Sequence, residues 1–121
     1  MRLSVIVCVF NEIRTIEKIL DKINNAELQN NIQKEIIIID NNSNDGTKEF
    51  LKKIPTSNNL KIFFQEKNLG KGNSIIMGIR ESTGDLIVFQ DADLEYDPNN
   101  FNKLINHLLI NKLDAVFGSR I

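Results

Sequence analysis

The chain has 121 residues, a formal net charge of −1, 41% hydrophobic residues and 26% charged residues. This composition is typical of a soluble globular protein, and the length is enough for one domain. Because acidic and basic residues are mixed along the chain, the charge argues against nucleic acid as a partner.

Apolar runs and helical repeats alternate along the chain. Four short apolar runs, rich in β-branched residues, predict buried strands at 3–10, 35–39, 60–64 and 86–90. Between them, apolar residues at helical spacing predict three helices, marked by Ile13 to Ile23, Phe50 to Ile54, and Ile75 with Ile76 and Ile79. A fourth amphipathic helix is predicted over 99–113, and a fifth strand begins near Ala115.

This alternation predicts an α/β fold with a parallel sheet covered by helices on both faces. Right-handed crossovers leave few topologies, of which the strand order 3-2-1-4 is our expectation. Ligands of such sheets bind outside the carboxyl ends of the strands, at the point where the strand order reverses. The polar residues that leave strands 1, 2 and 4 should therefore meet at one edge: Asn11, Glu12, Asp40, Asp91 and Asp93.

Two carboxylates stand one residue apart at the end of the fourth strand, as Asp91 and Asp93. Side chains at i and i+2 of an extended segment point the same way, so both can face one point in space. Oxygen ligands of this kind suit Mg²⁺ or Mn²⁺, which are commonly held by one or two carboxylates and substrate phosphates. The alternative is a solvated acidic turn.

Other familiar motifs do not fit. Gly70-Lys71 lacks the first glycine of a P-loop, and the glycines at 70, 72 and 78 do not match a dinucleotide-binding fingerprint. An EF-hand centred on Gly46 would need glutamate where the chain has Lys52. The single cysteine, Cys8, lies among apolar residues, where it is expected to be a buried small hydrophobe; one cysteine fits a reducing compartment, and a cytoplasmic location is expected.

Five motifs, taken in order, resemble the nucleotide-binding half of a family 2 glycosyltransferase. They are Val-Phe-Asn-Glu at 9–12, Ile-Asp-Asn-Asn-Ser-Asn-Asp-Gly-Thr at 39–47, Asn-Leu-Gly-Lys-Gly-Asn at 68–73, Asp-Ala-Asp-Leu at 91–94 and Gly-Ser-Arg at 118–120. The last two look most like the polyprenyl (dolichyl) phosphate mannosyl- or glucosyltransferase branch. The resemblance spans nearly the whole chain.

The resemblance implies a GT-A fold and a catalytic divalent cation, Mg²⁺ or Mn²⁺, held by Asp91-Ala92-Asp93. Asp93 is then the direct ligand, with Asp91 nearer the ribose or the water shell of the metal. Asp40 faces the nucleotide base, and the segment 8–12 lines the nucleotide through Cys8, Phe10 and Glu12. Arg120 could pair with a phosphate bidentately, or it could be an exposed terminal residue. Lys71 is expected to be a solvated loop charge.

The chain departs from the family pattern at three positions. Cys8 stands where the family usually has proline, and Phe10 where it has tyrosine or a similar residue. Asn41 replaces the second carboxylate of the turn that follows the second strand, which puts one detail of base recognition in question.

The resemblance also implies that residues 1–121 are the nucleotide-sugar-binding half of a larger domain whose acceptor half is absent. The parent would move a hexose from a GDP- or UDP-sugar to polyprenyl phosphate or a glycan. The alternative is a non-catalytic nucleotide-sugar-binding or assembly module. In the resembled fold the fifth strand pairs with an antiparallel strand beyond residue 121, so its open edge predicts a homodimer or larger assembly through the C-terminal third, or else a disordered tail after Asp114. The alternative is that residues 115–118 fold back beside the fourth strand.

Overall fold

The structure is a computed structural model that describes residues 1–28, 31–91 and 116–118. In chain order its elements are β1 (Arg2–Val9), α1 (Ile16–Asn25), β2 (Gln33–Asp40), α2 (Thr47–Lys52), β3 (Leu60–Phe64), α3 (Lys71–Glu81), β4 (Leu86–Asp91) and β5 (Val116–Gly118). The four long strands fall within two residues of the predicted bounds. The predicted helix over 99–113 lies outside the described residues.

The strands form one parallel sheet in the order β3-β2-β1-β4-β5. This confirms the predicted order 3-2-1-4 and places β1 at the centre, between β2 and β4. Each of the three crossovers that join β1, β2, β3 and β4 carries one helix, as the βαβ pattern requires. The carboxyl ends of β1, β2 and β4 consequently share one edge, which we call the carboxyl edge.

The fifth strand differs from the main expectation. It pairs in parallel with β4, with Val88 opposite Val116 and Gln90 opposite Gly118. This is the arrangement that the sequence offered as the alternative, in which the strand folds back beside the fourth strand of its own chain. A homodimer through this edge is not supported.

One face of the sheet is packed by α1 and α2. Alternate residues of the strands point to this face, including Val5, Val7, Ile36 and Ile38, and all of them are buried. The apolar stripe of α1 meets them through Ile16, Ile19, Leu20 and Ile23. Ile13 was predicted to belong to this stripe, but it precedes the helix and is exposed. The helix begins later because the chain first makes a turn at 13–15.

The opposite face is packed by α3, so helices cover both faces as predicted. The face of α3 that is buried carries Ser74 and Gly78, not the predicted isoleucines: Ile76 is 51% exposed and Ile79 is 45% exposed. The reason is a close approach of the helix to β1. A Cβ atom on Gly78 would lie 2.5 Å from Cγ2 of the buried Ile6. Only glycine permits this spacing without a shift of neighbouring atoms, so the small residues Ser74 and Gly78 face the sheet.

The amino edge of the sheet is closed by a buried carboxylate, Glu35, near the start of β2. It accepts hydrogen bonds from Ser4 Oγ (2.7 Å), Thr83 N (2.9 Å) and Thr83 Oγ1 (3.0 Å). Lys61 Nζ lies 3.0 Å and Arg2 Nη2 3.4 Å from its Oε1. Burial raises the pKa of Glu35, but these donors outweigh it and lower that pKa to about 2. Glu35 therefore joins β1, β2, β3 and the turn before β4.

Candidate active site at the carboxyl edge

The strand register brings the predicted site residues of three strands to one edge. Val9 of β1 lies opposite Asp40 of β2, and Cys8 of β1 lies opposite the backbone of Asp91 of β4. Two strand spacings separate β2 from β4, which is about 10 Å. The predicted meeting of strands 1, 2 and 4 at the point of order reversal is thus confirmed for the backbone.

Asp40 is buried at the end of β2 and caps the turn that follows. Its carboxylate accepts hydrogen bonds from Ser43 Oγ at 2.6 Å and from Ser43 N at 3.1 Å. An aspartate that bonds the backbone of a following residue in this way forms a local turn. A carboxylate has about four lone-pair positions, so two acceptor positions are left after these bonds. Its assignment to the nucleotide base stays a prediction.

The turn after β2 is joined to the loop after β1 by a set of reciprocal hydrogen bonds. Asn11 N donates to Ser43 Oγ at 2.9 Å, and Asn44 N donates to Asn11 Oδ1 at 2.8 Å. Glu12 N donates to Thr47 Oγ1 at 3.0 Å. Asn11 has a φ of 53°, a left-handed conformation that asparagine adopts more readily than most residues. The two loops therefore behave as one unit.

Asp45 anchors the start of α2 in this unit. Its carboxylate accepts hydrogen bonds from Thr47 N at 3.0 Å, from Thr47 Oγ1, and from Ile13 N at 3.3 Å. Partial burial raises the pKa of Asp45, but these hydrogen bonds outweigh it and hold the pKa below its usual value. Gly46 occupies the N-cap position of α2, and Asp45, which precedes it, accepts the first backbone N–H of the helix, while Ser43 bonds Asp40.

The three residues predicted to line the nucleotide on the β1 side differ in exposure. Phe10 is 43% exposed, so its ring is available to a ligand. Cys8 and Glu12 are half-buried. Cys8 was predicted to be a buried small hydrophobe; its side chain packs against the apolar cluster of Ile6, Ile37 and Ile39 but is only half-buried.

A third loop, between β3 and α3, is attached to the same edge through Asn41. Asn41 Nδ2 donates to Asn68 Oδ1 at 2.8 Å, and Leu69 N donates to Asn41 Oδ1 at 3.1 Å. Gly70 N also donates to Asn68 Oδ1, at 3.0 Å. Sequence reasoning treated Asn41 only as a missing carboxylate. The signal that could have found its role is the run of asparagines in the two turns, because asparagine both donates and accepts.

The side chains predicted to bind the metal ion and a phosphate are not among those that the structure describes. The side chain of Asp91, together with Ala92, Asp93 and Arg120, lies outside the described residues. Over 1–28 and 31–91, no group of three or more His, Cys, Asp or Glu side chains could hold a metal ion. Over the same ranges, no helix is long and apolar enough to cross a membrane.

The chain is similar to known proteins along nearly its whole length. The model of the family "Glycosyl transferase family 2" matches residues 4–121. A dolichol-phosphate mannosyltransferase of Pyrococcus furiosus is 34% identical over 120 residues, which are 99% of this chain and 33% of that protein. A cholesterol galactosyltransferase of Borreliella burgdorferi is 30% identical over 115 residues, 95% of this chain and 31% of that protein. The chain thus spans about a third of these relatives.

Solved structures show the same fold. The mannosyltransferase PcManGT of Pyrobaculum calidifontis, determined in complex with GDP-Man and Mn²⁺, has a TM-score of 0.71 at 26% identity, over 88% of this chain and 32% of that one. S. aureus TarS 1–349 in complex with UDP has a TM-score of 0.71 at 22% identity, over 93% of this chain and 33% of that one. The GT-A fold predicted from the motifs is confirmed, and the chain belongs to glycosyl transferase family 2.

Proposed function

We propose that residues 1–121 form the nucleotide-sugar-binding half of a glycosyltransferase that transfers a hexose from a GDP- or UDP-sugar to polyprenyl phosphate or a glycan. The proposal rests on the geometry of the carboxyl edge in a chain that belongs to glycosyl transferase family 2. There the buried carboxylate of Asp40, the exposed ring of Phe10 and the end of β4 at Asp91 lie around the last residues of β1. The name of the Pyrococcus furiosus relative, a dolichol-phosphate mannosyltransferase, supports polyprenyl phosphate as the acceptor.

Each group at this edge has a chemical task in the proposal. Asp40 accepts a ring N–H of the base through the acceptor positions that Ser43 leaves open, and Phe10 packs against the nucleoside. Segment 8–12 contributes backbone groups, and Glu12 lies near the ribose or base. These contacts bind and orient the nucleotide, which fixes the reacting sugar in one place. Arg120 is assigned to a phosphate of the donor or acceptor.

Asp91 and Asp93 are assigned to a divalent cation, Mg²⁺ or Mn²⁺. The donor set fits, because hard carboxylate oxygens are the ligands these ions prefer, with phosphate oxygens completing the shell. A bound ion would stabilise the negative charge that builds on the leaving nucleoside diphosphate. The protein itself would hold the diphosphate at the end of β4, while Asp40 holds the base at the end of β2, two strands away in the sheet.

Titration calorimetry with GDP and UDP, with Mn²⁺ and with EDTA, tests the donor side. We expect weak binding of one nucleotide that requires the cation. Asp93→Ala should abolish the cation dependence, whereas Asp21→Ala should not, because Asp21 is an exposed carboxylate on α1. Equal binding in EDTA would overturn the metal assignment. Absence of binding to either nucleotide would overturn the proposal as a whole.

A transfer assay tests whether this chain supplies only nucleotide-sugar binding, with the acceptor bound by another part of a longer protein. The isolated chain, given a radiolabelled nucleotide sugar and polyprenyl phosphate, is expected to show background transfer only, because catalysis needs both reactants held in register. A longer protein that contains this chain should transfer. Nucleotide binding without transfer in that longer protein would favour the alternative, a non-catalytic binding or assembly module.

A further inference from the structure

Asn41 is buried at the carboxyl edge, and both the nitrogen and the oxygen of its side-chain amide make hydrogen bonds. It directly follows Asp40, and its backbone N–H donates to Val9 O at 2.8 Å. Its Nδ2 donates to Asn68 Oδ1, and its Oδ1 accepts from Leu69 N. One side chain thus links the end of β2 to the loop that precedes α3.

The direction of these bonds is determined by backbone groups. Gly70 N–H and Leu69 N–H can only donate, so the atoms that face them must be the oxygens of Asn68 and Asn41 respectively. Asn68 therefore presents an acceptor to Asn41, and position 41 must supply a donor and an acceptor together. An aspartate there could accept from Leu69 N but would set its second oxygen against Asn68 Oδ1.

The segment that Asn41 holds has few other attachments. Asn68, Leu69 and Gly70 are all exposed, and the Leu69 side chain is 59% exposed. Gly70 has a φ of 90°, and a Cβ atom there would meet nothing within 4 Å, so the space beside it is open. Gly70 O accepts from Ser74 N and Ser74 Oγ at the start of α3. No buried apolar side chain holds this segment, so the position of Asn68 and Leu69 depends on their hydrogen bonds to Asn41. Losing them should move the segment and leave the core intact.

We propose that Asn41 is a positioning residue for nucleotide-sugar binding. It holds the Asn68–Gly70 segment beside the buried Asp40, so that this backbone forms one wall of the nucleotide site. The inference rests on the proposed function. It also explains the chain's departure from two consecutive carboxylates in this turn: the bond to Asn68 requires a donor that a carboxylate lacks.

The test compares three substitutions that each add one negative charge at this edge. Asn41→Asp removes the donor. Asn68→Asp keeps the acceptor that both Asn41 Nδ2 and Gly70 N require. Asn44→Asp is the charge control, because Asn44 is exposed and enters the network through its backbone N–H. For Asn41→Asp we expect amide exchange at Leu69 and Gly70 to rise by about tenfold and nucleotide affinity to fall by about tenfold.

Asn68→Asp is expected to keep the exchange protection at Leu69 and Gly70, and Asn44→Asp to keep both the protection and the affinity. Amide exchange in β1 and β2 should stay unchanged in all three variants, which shows that the core is intact. Unaltered protection in Asn41→Asp, or an affinity loss no larger than that of Asn44→Asp, would overturn the inference. If the unsubstituted chain binds neither GDP nor UDP while Asn41→Asp still loses protection, the proposed function fails and the nucleotide role of Asn41 fails with it.

Discussion

The two edges of the sheet bury polar groups in the same way but use them differently. At each edge, a buried serine donates to a buried carboxylate and accepts one backbone N–H. At the amino edge Ser4 donates to Glu35 and accepts from Gly84 N; at the carboxyl edge Ser43 donates to Asp40 and accepts from Asn11 N. The distances agree within 0.1 Å: 2.7 and 2.9 Å at one edge, 2.6 and 2.9 Å at the other.

The difference lies in what surrounds each carboxylate. Glu35 has further partners in Thr83 and two cations, so its charge is compensated inside the protein. Asp40 accepts its two hydrogen bonds from Ser43 within its own turn, from a backbone N–H and a neutral hydroxyl. Removing a carboxylate with so many partners leaves those partners unpaired, whereas Asp40 keeps acceptor positions beyond those that Ser43 fills. Among the described residues, this difference is the reason for assigning the proposed nucleotide site to the carboxyl edge and a structural role to the amino edge.

The largest expected effect is at the amino edge. Glu35→Ala should lower the free energy of unfolding by about 3–5 kcal/mol, because it leaves Ser4, Thr83 and two cations without their shared acceptor. Chemical denaturation measures this loss. Glu49→Ala, which removes an exposed carboxylate from α2, should change the stability by less than about 0.5 kcal/mol. Similar losses in the two variants would contradict the special role of Glu35.

The same carboxylate predicts a pH dependence. The pKa of Glu35 is lowered in the folded protein from 4.5 to about 2, so the unfolded chain binds its proton more readily. The stabilisation is fully present above pH 4.5 and is lost as the pH falls from 4.5 towards 2. The loss corresponds to about 3 kcal/mol. Denaturation curves from pH 6 to 2 should show it, and in Glu35→Gln the stability should fall less over that window.

The two serines give a matched comparison of smaller effects. Ser4→Ala and Ser43→Ala should each lower the free energy of unfolding by about 1–3 kcal/mol, since each removes a hydroxyl that donates to a buried carboxylate and accepts from a part-buried backbone N–H. Only Ser43→Ala should weaken nucleotide binding, because only Asp40 belongs to the proposed site. Denaturation and calorimetry on both variants measure the two quantities. An equal loss of affinity in Ser4→Ala would remove the distinction between the edges.

The sheet could be predicted from the sequence because it depends on local patterns. The apolar runs gave the strands, and their alternation with helical repeats gave the strand order that places Asp40 and Asp91 at one edge. The buried face of α3 could not be found in this way. It is set by the contact of Gly78 with Ile6, which lies far away in the sequence.

The hydrogen-bond networks were unpredictable for the same reason. Glu35 stood at the start of a predicted strand, but its partners Ser4 and Thr83 lie 31 and 48 residues away. Asn41 is 27 residues from Asn68. Such pairs follow from strand register and loop conformation, which residue types alone do not determine. Local periodicity identified the edge of the site, and only the fold showed which side chains shape it.

Mapping by NMR tests the central claim most directly. Amide resonances of the 121-residue chain are recorded while GDP or UDP is added in the presence of Mg²⁺. We expect shifts concentrated at the carboxyl edge, at Phe10, Asn11, Asn41 and Leu69, with Ser4, Glu35 and Thr83 unchanged. Shifts confined to the amino edge, or spread evenly over both edges, would contradict the account.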